Sequence, residues 1–62
     1  MRDPQRIDEF CDRLKTAWGQ FPDMRFGQVM VGVFTMMEKS GKNPFYREDD
    51  EMIEYLEQFL SK

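Results

Sequence analysis

Phe26-Gly27-Gln28-Val29-Met30-Val31-Gly32-Val33-Phe34-Thr35-Met36-Met37, residues 26–37, carries no charged side chain, and its reading decides the fold. Phe26, Val29, Met30, Val33, Phe34 and Met37 recur at the three- and four-residue spacing of one helix face. Val31 and Met36 fall off that stripe. The strand signal is weak; its nearest instance, Val29 to Thr35, fits the helical period better. A helix that is apolar on most sides belongs in an interior, so this segment predicts a buried, central second helix. Gly27 and Gly32 each cost about 1 kcal/mol relative to alanine inside a helix, a cost that close approach of a neighbouring helix would offset.

The boundaries of this helix follow from its flanks. With Arg25 at the N-cap, Gln28 falls at N3 and Met24 can staple onto Val29; with Asp23 there instead, the staple would pair Pro22 with Gly27, a poor contact. The first register is preferred, and the helix is expected over about 25–40. On either side stand two breaks of the same form, Gly19-Gln20-Phe21-Pro22 and Gly41-Lys42-Asn43-Pro44. Each reads as a left-handed glycine closing a helix, followed by a proline that cannot continue it.

Beyond the first break, a helix is expected over about 4–18. Asp3 serves as N-cap and Pro4 occupies the first position, where its missing N–H costs nothing. Ile7, Phe10, Cys11, Leu14 and Trp18 form its stripe, and Glu9 stands four residues before Arg13, the favourable order for an ion pair. Beyond the second break, a helix is expected over about 48–61. Glu48, Asp49, Asp50 and Glu51 crowd its first turn, where negative charge complements the helix dipole, and Met52, Ile53, Leu56, Phe59 and Leu60 form its stripe. The protein's acidity is concentrated here. Phe21, Phe45 and Tyr46 lie in the connections and are expected to fold back onto the ends of the core. The whole chain, 1–62, thus predicts one all-α, three-helix domain.

Bulk properties narrow the function classes. A chain of 62 residues has room for one domain and buries only about 60% of its unfolded surface. The formal net charge is −3 and the pI about 4.8, which argues against nucleic acid as a partner. No apolar run approaches the roughly 18 residues of a membrane span, and the charged stretch Met1–Phe10 does not read as a signal peptide; the cytoplasm is the expected compartment. Cys11 is the single cysteine, so no internal disulfide compensates for the small size. Histidine is absent, and with it the commonest metal ligand and general base.

The candidate chemistries are correspondingly thin. Consecutive carboxylates at Glu48–Glu51 point about 100° apart on a helix and do not converge on a cation. Asp8 with Asp12, and Asp50 with Glu54, share a helix face, yet nothing suggests a pocket that would shift an acid. Cys11, on an apolar stripe, reads as a small buried hydrophobe rather than a nucleophile. Asn43-Pro44-Phe45-Tyr46 matches the Asn-Pro-x-Tyr peptide bound by phosphotyrosine-binding domains, but between two helices it reads as a turn followed by core-capping aromatics. Among the methionines, Met24, Met36 and Met52 are left for the surface, although simple core filling is the preferred reading. A DNA-reading helix-turn-helix would need exposed basic and amide side chains, which neither later helix offers. No catalytic, cofactor-binding or metal-binding residues are assigned.

Several elements together, Asp3-Pro4-x-Arg6-Ile7, Trp18, Pro22-Asp23-Met24-Arg25-Phe26-Gly27-Gln28 and Pro44-Phe45-Tyr46-x-Glu48-Asp49, resemble a group of small bacterial and phage proteins without an assigned activity. The resemblance spans nearly the whole chain, and the central Pro-Asp-Met-Arg-Phe-Gly-Gln string is its most specific part. Met24 stands where that pattern favours leucine. The resemblance implies a bacterial or phage origin and carries over no functional residues.

Two functional expectations remain. The first is a small non-enzymatic interaction module, a homodimer among the options, because Val31, Met36 and Tyr55 exceed one apolar stripe per helix. The second is an acidic regulator or inhibitor, of DNA-mimic type, that presents Asp50, Glu51, Glu54 and Glu57 to a basic partner.

Overall fold

A computed structural model describes residues 2–61; Met1 and Lys62, counted within the expected domain, lie outside them. Three helices follow one another, α1 (Gln5–Trp18), α2 (Phe26–Lys39) and α3 (Asp49–Phe59), with a single 3-10 turn at Pro44–Tyr46 between the last two. Each helix lies within two residues of its expected bounds.

The start signals work as the sequence implies. The Asp3 carboxylate accepts from the Gln5 backbone N–H at 2.9 Å, and Pro4 already has helical dihedrals. At α2, Arg25 is extended and its backbone N–H donates to Gln28 Oε1 at 2.8 Å. This is one half of a capping box; the arginine side chain has no acceptor to complete the other. Gly41 adopts the left-handed conformation, φ 73°, with Lys42 N–H donating to Met37 O. Gly19 does not: its φ is −59°. The first break is a tight right-handed turn, with Phe21 N–H donating to Trp18 O and Met24 N–H to Phe21 O. Trp18 Nε1 also donates to Met24 O at 2.9 Å, so a side chain fixes the loop in place of a glycine cap.

The core consists of Ala17 from α1, Val29, Val33 and Met37 from α2, and Ile53, Leu56 and Leu60 from the third helix and its end. Phe10, Leu14, Trp18, Phe21, Met24, Met30, Met52, Tyr55 and Phe59 pack partly buried against it. The helix in contact with both others is α3; direct contact between α1 and α2 is slight, though Trp18 and Phe26 meet with ring centroids 5.8 Å apart. The molecule measures 35 × 27 × 18 Å, too thin for helices of about 10–12 Å diameter to enclose one of their number.

The buried, central second helix is therefore not found, and the physical reason is the flat arrangement: α2 has a neighbour on one side only. Phe34 and Phe26, expected on its core stripe, are exposed. One glycine of α2 does meet the expected close approach. A Cβ on Gly32 would overlap the Phe59 ring, whereas one on Gly27 would meet nothing within 4 Å.

Candidate functional site

The open side of α2 is the surface that sets this molecule apart. Val31 is 67% exposed and Phe34 44%, and these two lie on the side turned away from Val29, Val33 and Met37. Gly27 shares their side, two helical turns before Phe34. No charge interrupts it until Glu38. Beyond the C-terminal end of α2, Phe34, Glu38, Gly41, Lys42, Asn43 and Pro44 border one open hollow of about 470 Å³, which joins the helix face to the 3-10 turn.

That turn is held by Asn43, whose Oδ1 accepts from Phe45 N–H at 3.0 Å. It presents Phe45, 84% exposed, and Tyr46, 71% exposed, stacked edge to face with centroids 5.0 Å apart. The expectation that these aromatics plug the core is overturned: Asn43 and Pro44 tie the chain into a short turn that leaves their side chains over solvent. Phe21, in the other connection, does pack against the core. Periodicity cannot detect such a feature, because the turn is shorter than one period; the Asn-Pro pair was its only signal.

Of the expected interface residues, the structure brings only Val31 to the open surface. Met36 is half-buried and Tyr55 packs against the core, so neither joins it. Met24 and Met52, considered for the surface, also pack against the core.

Ion pairs redistribute the acidic surface. Arg13 donates from Nε and Nη2 to the two oxygens of Glu57 at 2.9 and 2.5 Å, rather than pairing with Glu9 on its own helix. Arg6 pairs with Asp49 and Arg2 with Glu48, and Arg47 reaches Glu51 at 3.7 Å. Arg47 Nε is shielded from water with no acceptor among the described residues. The Arg13 hydrogen bond holds the Glu57 carboxyl below the usual carboxylate range; partial desolvation works against this and Coulomb attraction to Arg13 adds to it. Of the four acids expected to face a basic partner, Asp50 and Glu54 have no ion-pair partner among the described residues, while Glu51 and Glu57 do.

Cys11, expected to be buried, is exposed, because α2 does not close over that side of α1. It borders an open hollow of about 410 Å³ with Leu14, Lys15, Trp18, Gly19 and Pro22. Lys15 is the one charged residue there, and the hollow lacks the few placed polar groups that orient a small ligand. Among the described residues no cluster of three His, Cys, Asp or Glu is placed to hold a metal ion. No helix among them is long and apolar enough to cross a membrane.

Compared with protein-family models, with curated proteins and with solved structures, the chain finds no match.

Proposed function

We propose that this protein is a small non-enzymatic interaction module that works through the open face of α2 and the aromatic pair of the turn after it. One observation carries the reading: Val31 and Phe34 are exposed on a helix with no charge from Phe26 to Met37, and Phe45 and Tyr46 are exposed on the turn that follows it. An aromatic side chain offers about 150–250 Å², so these residues together present apolar surface on the order of 500 Å². That is a large exposed apolar area for a chain with little surface overall, 4892 Å². The acidic-regulator reading has less support, because four carboxylates around α3 are engaged by arginines of the same chain. A bacterial or phage origin and a cytoplasmic location belong to the same proposal.

The test is site-specific photo-crosslinking in the source cell, with the reactive side chain placed at Val31, at Phe45 or, as a control, at exposed Thr16 on α1. Protein adducts concentrated at positions 31 and 45 support the proposal. Equal labelling at all three positions, or none at any, rejects it.

A further inference from the structure

We infer that the occupant of the open α2 face is a second copy of this chain, paired antiparallel through α2 about a two-fold axis between Met30 and Val31. This rests on the interaction-surface reading above and names the partner. The argument is one of self-complementarity. A two-fold interface must carry both halves of every contact on one surface, and α2 does. Phe34 projects from the open face. Gly27, seven residues earlier and so nearly in line with it, leaves a bare stretch of helix where an added Cβ would meet nothing within 4 Å. Antiparallel pairing centred midway between the two lays each Phe34 ring over the other copy's Gly27. Val31, the most exposed large hydrophobic residue of the helix, then stands beside its own counterpart next to the axis.

Charge favours antiparallel over parallel pairing. A parallel pair sets Glu38 against Glu38, whereas the antiparallel pair brings Glu38 to the end that carries Asp23 and Arg25 together, so an arginine accompanies the acid it meets. The area comes from two elements: Val31 and Phe34 on the helix and Phe45 and Tyr46 on the turn together expose on the order of 500 Å², against the roughly 800 Å² that each partner contributes to a stable complex, with polar side chains such as Gln28 and Thr35 supplying the rest. Pro44, which opens that turn, borders the same hollow as Phe34.

The experiment is sedimentation equilibrium of the full chain over a concentration series, with circular dichroism on every variant. The wild type is expected to form a dimer. Val31→Glu, which places two carboxylates beside the axis, should be monomeric at the same helix content. Gly27→Leu is the decisive variant. In the single chain a Cβ there meets nothing within 4 Å and leucine is the better helix former, so helix content should hold or rise, yet the side chain fills the site that Phe34 needs and should weaken dimerisation at least tenfold. Dimerisation by Gly27→Leu that equals or exceeds wild type overturns the antiparallel register. A wild type that stays monomeric to about millimolar concentration overturns self-pairing altogether. In that case, crosslinks from position 31 to a different protein would leave the interaction-module reading standing, and their absence would remove both.

Discussion

Along its border with α1, the α3 segment is lined by arginine–carboxylate pairs, Arg2–Glu48, Arg6–Asp49 and Arg13–Glu57; along its border with α2 there is no ion pair among the described residues, and the contact is made by Val29, Val33, Met37 and the Phe59 ring seated on Gly32. The difference teaches how the two outer helices are positioned. For α1, charge adds direction to a modest apolar contact in which Ala17 is the single buried residue of the helix. For α2, shape alone sets the position.

The most damaging way to break the contrast is to empty the α2 border. Met37 is fully buried, and Met37→Ala should cost about 2–5 kcal/mol. A chain of this length has about 3–9 kcal/mol of stability at 0.05–0.15 kcal/mol per residue, so the variant should lose a large fraction of it. Urea unfolding followed by circular dichroism measures this. A loss below about 1 kcal/mol would mean that α2 is not held by its core side chains.

A smaller effect is expected where the two helices come closest. Gly32→Ala gains about 1 kcal/mol of helix propensity, but its methyl group must push the Phe59 ring aside, and overpacking of this kind costs about 1–3 kcal/mol. The net change should be destabilising. In a Phe59→Leu background the obstruction is smaller, and the same substitution should become neutral or stabilising. Identical effects in both backgrounds would show that the ring does not determine the cost.

Much of this was legible in the sequence, and the failures share a cause. Three helices, the Asp3 cap, the Arg25 register and the left-handed Gly41 were all readable, because each depends on residues within one or two turns; the first stripe was not, since Ile7 and Cys11 are exposed and Ala17 is the residue buried. The central position assigned to α2 was wrong, since a helix apolar all round reads the same whether it is enclosed by its own chain or covered by another. Phe34 and Cys11 were misplaced for that reason: periodicity says which residues share a face and not whether that face has a neighbour. The long-range pairs of Arg2, Arg6 and Arg13 were invisible, and Glu9–Arg13 was the reasonable local substitute. The candidate surface was therefore half-read, with Val31 recognised and Phe45 and Tyr46 assigned to the core.

The mildest prediction tests the charged border alone. Hydrogen bonding from Arg13 lowers the Glu57 carboxyl below its ordinary value, and the unfolded chain restores that value, about 4.3. A carboxylate with a depressed folded value stabilises the fold fully above the unfolded value, and that contribution disappears as pH falls through the folded one. Raising the Arg13 guanidinium adds nothing to this window, because it stays charged throughout. The difference in melting temperature between wild type and Glu57→Gln should accordingly be present at pH 6 and shrink steadily below about pH 4.3. The exposed pair should also weaken as salt rises. Met37→Leu, a volume-conserving change on the other border, should shift the melting temperature by an amount independent of pH and salt. If the two variants respond alike to acid, the two borders of α3 are not chemically distinct, and α1 is held as α2 is, by packing.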